Sequence, residues 1–158
     1  MGNTAAIVLI GNEILSGKIA DANAVYLCQE LRTLGVDVRR IVAIPDDTDL
    51  IAKEVSEESR TYDLVFTSGG VGPTHDDVTI EGIARGMGVP VVRHPRLTSL
   101  LEQFYKGDLN DPRLKMAEVP EGAQLLAGGS LTFPVIVFKN IYIFPGVPEI
   151  FRQKFDAI

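Results

Sequence analysis

Tyr62-Asp63-Leu64-Val65-Phe66-Thr67 runs directly into Ser68-Gly69-Gly70-Val71-Gly72-Pro73-Thr74-His75-Asp76-Asp77, and this stretch decides the fold. Its first half is a short apolar run with β-branched and aromatic residues, which reads as a buried strand. Its second half holds three glycines within four residues, so the backbone is free to take positive φ and to approach a ligand without a Cβ in the way. A helix read over Asp76–Gly86 follows, and its unpaired N–H groups and positive dipole end would face the same space. Strand, glycine loop and helix together form the repeating unit of an open α/β sheet.

The chain repeats that unit on the amino-terminal side. Thr4–Ile10 (TAAIVLI) reads as a buried strand ending at Gly11. Asp21–Leu34 has apolar residues at Ala24, Leu27, Leu31 and Leu34, the spacing of an amphipathic helix, with Asp21 as N-cap and Gly35 as its stop. Val36–Ile44 is a second strand, and Asp46–Arg60 is a second helix carrying Leu50, Ile51 and Val55. On the carboxyl-terminal side, Pro90–Val92 is a short strand and His94–Tyr105 a helix with Pro95 in its first turn. Lys106–Arg113, polar and broken by Gly and Pro, is a surface loop. Gly122–Leu126 is a short strand, Phe133–Phe138 and Asn140–Phe144 form a hairpin pivoting at Lys139–Asn140, and Val147–Ala157 is a last short helix. Strands alternating with helices predict a parallel sheet covered on both faces, with the late hairpin adding an antiparallel strand at an edge.

With 158 residues, 46% hydrophobic and 23% charged, residues 1–158 suit one globular domain with a sizeable core. Lys and Arg number 15 against 21 Asp and Glu, a net charge of −6. That balance disfavours a general nucleic-acid binder, which needs a basic face to displace counterions. Tryptophan is absent, and seven Phe and four Tyr make a thin stacking platform for single-stranded bases. The single cysteine, Cys28, rules out an internal disulfide framework and a Cys-based zinc cluster, and it fits a reducing, cytoplasmic setting. No leader-like amino end and no run of 18 apolar residues is present, so no membrane partner is expected.

In such sheets ligands sit at the carboxyl ends of the strands, and those ends are chemically loaded here. They are Gly11-Asn12-Glu13-Ile14-Leu15-Ser16-Gly17, Pro45-Asp46-Asp47, the glycine loop Ser68–Asp77, and Pro145-Gly146-Val147-Pro148. The glycine loop with the helix behind it makes an anion site suited to phosphate or pyrophosphate; the alternative is a tight turn with no ligand. It is neither a G-x-G-x-x-G fingerprint after the first strand nor a P-loop, since no Gly-Lys-Ser/Thr follows. Asp76 and Asp77 either cap the helix or, because carboxylates alone would repel a phosphate, share a divalent cation with it. Asp46 has the same two readings. Glu13 and Asn23 either orient a ribose or base or hold a loop. His75 reads as a surface residue with acid–base work as the alternative, His94 as structural, and Cys28 as a core residue on its helix.

The motifs Gly11-x-Glu13-x-Leu15-x-Gly17 with Asn23, Pro45-Asp46-Asp47, Gly69-Gly70-x-Gly72-Pro73-Thr74-x-Asp76-Asp77-x-Thr79, Val119-Pro120-x-Gly122-Ala123 and Pro145-Gly146-x-Pro148 fall in order over about 150 residues. In them the chain resembles the CinA-type branch of the molybdopterin-binding-domain superfamily, which includes MoaB/MogA-like and gephyrin-like domains. The resemblance implies a three-layer α/β/α sandwich that forms homo-oligomers, dimer or trimer. It implies a metal-dependent pyrophosphatase that splits ADP-ribose, FAD or a similar ADP-linked nucleotide to AMP and a second phosphate. The alternative is a molybdopterin- or nucleotide-binding module without turnover. Asp46, Asp76 and Asp77 would be catalytic and hold a divalent cation (Mg, Mn or Co, with K as a further cation). Gly11, Glu13, Asn23, Ser68, Gly69, Gly70, Gly72, Pro73, Thr74, Pro145 and Gly146 would border the substrate. The stretch Gly129-Ser130-Leu131-Thr132-Phe133-Pro134 departs from the CinA pattern toward domains associated with FAD synthases. With the chain ending at Ile158, the nicotinamide-mononucleotide deamidase domain of longer CinA relatives is not expected.

Overall fold

The computed structural model describes residues 3–127 and 131–158. Gly129 and Ser130, on which part of the FAD-synthase-like departure falls, lie outside the described residues. In chain order the elements are β1 (Thr4–Ile10), α1 (Asn12–Leu15), α2 (Asn23–Thr33), β2 (Asp37–Ile44), α3 (Thr48–Thr61), β3 (Leu64–Ser68), α4 (Thr79–Met87), β4 (Val91–Arg93), α5 (Pro95–Phe104), α6 (Asp111–Lys115), β5 (Glu118–Pro120), β6 (Gln124–Leu126), β7 (Val135–Phe138), β8 (Ile141–Phe144) and α7 (Pro148–Asp156). The main sheet has the order β2-β1-β3-β8-β7-β6. Its β2, β1, β3 and β8 run parallel, and β7 and β6 are antiparallel.

β1 is buried on both faces because its alternate side chains enter two different cores. Ala5, Ile7 and Leu9 pack with Leu27 and Leu31 of α2 and with Phe144, Phe151 and Phe155. Val8 and Ile10 pack with Ile51 and Val55 of α3 and Ile83 of α4. Fully buried side chains such as Phe151 and Ile51 each contribute about 1.5–3 kcal/mol of transfer free energy. α4 lies tight on α3 because a Cβ at Gly86 would stand 2.4 Å from the Ala52 carbonyl oxygen, and one at Gly82 would stand 2.5 Å from Ile51. A smaller core of Leu97, Leu101, Ala117 and Val119 joins α5 to the two-stranded β4–β5 ladder.

The register decides where the site forms. Ile10 pairs with Ile44, Leu9 with Ser68, and Ser68 with Phe144. The carboxyl ends of β1, β2, β3 and β8 therefore finish side by side, and their four loops open on one edge of the sheet.

Several expectations are corrected. α4 begins at Thr79, three residues after the predicted start, so Asp76 and Asp77 belong to the loop. The predicted Lys106–Arg113 loop gives way to α6, which Asn110 caps by accepting from the Arg113 N–H, with Pro112 in the first turn. Polar composition hid that turn. The second half of the hairpin, β8, is an interior strand parallel to β3, and the edge falls to β6. Asp21 lies one residue before the N-cap of α2, yet its carboxylate still accepts from the Ala24 N–H at 2.8 Å. Cys28 is half-buried against the core, and burial pushes its thiol pKa up. His94 is structural as expected: it is the N-cap of α5 and accepts from the Arg96 N–H through Nδ1. No helix among the described residues is long and apolar enough to cross a membrane.

Candidate functional site

The site starts where β3 stops being a strand. The Gly69 N–H still donates to the Phe144 carbonyl at 3.1 Å, and then the chain turns through two left-handed residues, Gly69 at φ +104° and Gly70 at φ +71°. A Cβ at Gly69 would stand 2.2 Å from the Ile10 carbonyl oxygen, and one at Gly70 would stand 2.1 Å from Thr79 Oγ1. Both the dihedral and the space therefore demand glycine. Thr79, fully buried at the start of α4, pins the turn. Its hydroxyl donates to the Gly69 carbonyl at 2.9 Å, and its N–H donates to the Gly70 carbonyl at 3.0 Å. With those carbonyls tied back, the amides of Gly70, Val71 and Gly72 donate to no carbonyl or side chain among the described residues. Unengaged donors in a glycine turn are the kind of backbone arrangement that can receive an anion.

Asp77 closes the outer part of the loop. Its Oδ2 accepts from the Thr74 N–H at 3.0 Å and from the Thr74 hydroxyl at 2.7 Å. A Cβ at Gly72 would stand 2.8 Å from that oxygen. Helix capping is not its role, because the N-cap of α4 is Val78 and no side chain caps there. Pro73 and Thr74 are exposed on the rim. Asp76 and His75 face outward as a pair 3.3 Å apart, with side chains 74% and 93% exposed.

The β2 end removes the capping reading of Asp46. Asp47 is the N-cap of α3 and accepts from the Leu50 N–H at 3.0 Å, which frees Asp46. Asp46 instead forms a reciprocal clamp with Asn12: Asp46 Oδ2 accepts from the Asn12 N–H, and Asn12 Oδ1 accepts from the Asp46 N–H, both at 3.1 Å. Burial raises the Asp46 pKa, and the charges of Glu13, Asp77 and Asp76 raise it further, against the pull of the Asn12 amide. Glu13 folds back over Gly11, where a Cβ would stand 2.4 Å from Glu13 Oε1.

Asn23 sits beneath the loops, 2% exposed. Its Nδ2 donates to Ser68 Oγ at 2.9 Å and to the Gly146 carbonyl at 3.1 Å, tying α2, β3 and the loop after β8 together. Its Oδ1 is buried without a partner. The half-buried Pro145 leads into Gly146, where a Cβ would stand 3.4 Å from Gly69 Cα.

Two groups thus emerge. Asn23, Ser68, Gly69, Gly70 and Gly146 share one bonded junction, and Asp46, Glu13, Asp76 and Asp77 share one field of negative charge. Among the described residues, no three of His, Cys, Asp and Glu converge closely enough to hold a metal ion between them. Sequence reasoning missed three contributors. Thr79 was visible within the motif yet carried no assigned role, and Asn12 was visible only as a loop polar residue. Lys115 of α6, whose ammonium donates to the Thr74 carbonyl, gave no signal because forty-one residues separate the two.

Comparison with known proteins agrees with this fold. The family model described as "Probable molybdopterin binding domain" matches residues 6–158. The crystal structure of the protein CinA from Thermoplasma acidophilum is 32% identical, with 99% of this chain and 95% of that one covered and a TM-score of 0.90. A "Probable FAD synthase" from Caenorhabditis elegans is 38% identical over 98% of this chain and 34% of its own length. MoaB from Thermus thermophilus, 18% identical with 98% and 88% covered and a TM-score of 0.62, shares the fold. The chain spans between about one third and two thirds of the length of the curated relatives it matches. A parallel sheet with antiparallel strands at one side, a glycine turn pinned by Thr79 and loops that converge at one edge therefore have a family: this chain belongs to the molybdopterin-binding-domain superfamily as a CinA-type member.

Proposed function

We propose that the site hydrolyses the pyrophosphate bond of an ADP-linked nucleotide, such as ADP-ribose or FAD, to AMP and a second phosphate. The observation that carries this reading is the juxtaposition of opposites. Three unengaged amides at Gly70–Gly72 stand beside a field of carboxylates centred on Asp46. The amides suit a phosphate, but the carboxylates alone would repel it, so the pair makes chemical sense with a divalent cation between them.

The donor set fits such a cation in one particular way. Three protein ligands do not converge, which does not suit a resident, all-protein cage. One or two carboxylates together with substrate phosphate oxygens are the usual holding of Mg²⁺ and its relatives. Asp46 and Asp77 would supply the carboxylates, with Asp76 contributing charge from the rim. Once bound, the cation would neutralise phosphate charge and acidify water.

The chain's own residues do the rest. Gly70–Gly72 amides bind the pyrophosphate oxygens, and Thr79 keeps those amides aimed. The buried Asn23 Oδ1, which has no partner, accepts a donor from the ligand, while Glu13 and Pro145–Gly146 border the nucleoside. In the reaction a water oxygen would bond to one phosphorus as a carboxylate of the site takes a water proton, the bond from that phosphorus to the bridging oxygen would break, and the bridging oxygen would leave on the other phosphate. The name of the Caenorhabditis elegans relative, an FAD synthase, supports a flavin nucleotide as one candidate.

The test is incubation with ADP-ribose and with FAD, with and without Mg²⁺, Mn²⁺ or Co²⁺ and with K⁺, followed by chromatography for AMP. Cation-dependent AMP from at least one substrate is expected. No AMP from either under any cation overturns the reading, and tight molybdopterin binding without hydrolysis would replace it with a binding module. Full turnover by Asp77→Asn would overturn the carboxylate assignment alone.

A further inference from the structure

The layer built from α5, α6, β4 and β5 is tied to the glycine loop by a hydrogen bond from one of its side chains. Lys115, the last residue of α6, donates from Nζ to the Thr74 carbonyl. That carbonyl also accepts from the Asp77 N–H at 3.2 Å, while the Thr74 N–H and hydroxyl both donate to Asp77 Oδ2. Thr74, Asp77 and Lys115 therefore form one closed set of four hydrogen bonds. The inner part of the loop is pinned by Thr79, and this set is what fixes the outer part.

Charge gives Lys115 a second role. Among the described residues it is the one cation lining a cavity of about 60 Å³ beside the loop, together with Gly70, Gly72, Asp77, Glu81 and Glu118. Of the three carboxylates there, Glu81 is also paired with Arg85 at 3.3 Å, which leaves Asp77 and Glu118 to Lys115. Without it, Gly70–Gly72 would offer their amides to an anion against unbalanced negative charge. A charge-assisted bond to a carbonyl is also stronger than a neutral one.

We propose that Lys115 is a positioning residue of the glycine loop. It holds the Thr74–Asp77 turn and offsets its acidity, which makes the α6–β5 layer a working part of the anion site. The ligand half of this inference rests on the pyrophosphate reading above, and the loop half does not.

The test compares Lys115→Met and Lys115→Gln with Lys115→Arg in hydrogen–deuterium exchange and in calorimetric titration with ADP and Mg²⁺. Both neutral variants are expected to speed exchange at the Thr74 and Asp77 amides about tenfold or more, with β1 amides unchanged. They are also expected to weaken ADP about tenfold. Lys115→Arg should recover much of both. Using two neutral variants separates loss of charge from a packing defect peculiar to one side chain. Unchanged exchange at Thr74 and Asp77 overturns the proposal whether or not ADP binds. Faster exchange with undiminished ADP affinity overturns its ligand half. Faster exchange in a protein whose wild type binds no ADP leaves the loop half standing and counts against the pyrophosphate reading instead.

Discussion

Two asparagines mark the two ends of the same sheet, and they are used in opposite ways. At the amino ends of the strands, Asn140 employs every polar atom it has. Its Oδ1 accepts from Ser59 Oγ at 2.6 Å, and its Nδ2 donates to the carbonyls of Ser59 and Tyr62, each at 3.0 Å. Nearby, Asp63 accepts from both the N–H and the hydroxyl of Thr4. At the carboxyl ends, Asn23 donates twice and leaves Oδ1 buried with nothing to accept from. Thr67 Oγ1, on the other face of β3, is also buried without a partner, and three loop amides have none among the described residues. The contrast is one of degree: Glu58 Oε2, beside Ser59 at the amino ends, is also buried without a partner, but the carboxyl ends hold two such oxygens and the free loop amides as well. Buried polar groups are normally paired, and the two unpaired side-chain oxygens near the strand carboxyl ends are what the proposed ligand site would account for.

The severest way to break the contrast is Gly69→Ala. Even a frustrated site needs a rigid frame, and here the Cβ would meet backbone at 2.2 Å with φ at +104°. We expect a loss of about 3 kcal/mol or more in denaturant unfolding. A loss below about 1 kcal/mol would mean that the turn relaxes freely and that the loop amides are not preorganised.

Asn140→Ala comes next. Removing it strips three hydrogen bonds and leaves two carbonyls and a hydroxyl short of partners, for an expected cost of about 2–3 kcal/mol. Ligand affinity should not change, because the site lies at the opposite end of the sheet. Asn23→Ala sharpens the comparison. It too loses bonds, to Ser68 and Gly146, but it also removes an orphaned acceptor, so the apo protein should lose only about 1 kcal/mol. Nucleotide affinity should fall about tenfold. Equal stability losses for the two alanine variants would mean that Asn23 is as fully satisfied as Asn140, and the argument for an incomplete site would lose its main support.

How much of this could be read in the chain depended on range. Thr4–Ile10, the glycine loop and the amphipathic spacing of Ala24, Leu27 and Leu31 are local patterns, and each became the element it predicted, although Leu34, the fourth residue of that spacing, falls at the C-cap and is exposed. The strand ends were legible as chemistry because polar and glycine residues interrupt apolar runs there. What failed was decided by partners distant in sequence or by competition for a cap. Glu118–Pro120 is a strand only because β4 pairs with it, and no three-residue run announces that. Asp76 and Asp77 looked like a helix start because acidic residues favour that position, yet Asp77 found stronger partners in Thr74, and the helix began later. Asp46 was the candidate for the cap, and only the fold shows that its neighbour Asp47 takes it. The dependence of the loop on Lys115 was invisible because it crosses between layers.

The smallest expected effect is the most direct probe of the carboxylate field. Burial and the neighbouring Glu13, Asp77 and Asp76 raise the Asp46 pKa above its ordinary 3.8. The folded state therefore holds that proton more tightly than the unfolded state, and ionised Asp46 opposes folding at neutral pH. Asp46→Asn keeps an acceptor for the Asn12 N–H and removes the charge. It should raise the thermal midpoint of the apo protein at pH 7 by about 1–3 °C. The gain should shrink as pH falls through the raised folded value and vanish below the ordinary one, where both states are protonated. ADP with Mn²⁺ should then invert the ranking, because a cation among the carboxylates relieves in the wild type the same repulsion that the variant has already lost. A variant that gains nothing at pH 7, or that responds to ADP and Mn²⁺ as strongly as the wild type, would show that the charge around Asp46 is ordinary surface acidity. The contrast between the two ends of the sheet would then rest on Asn23 and the free amides alone.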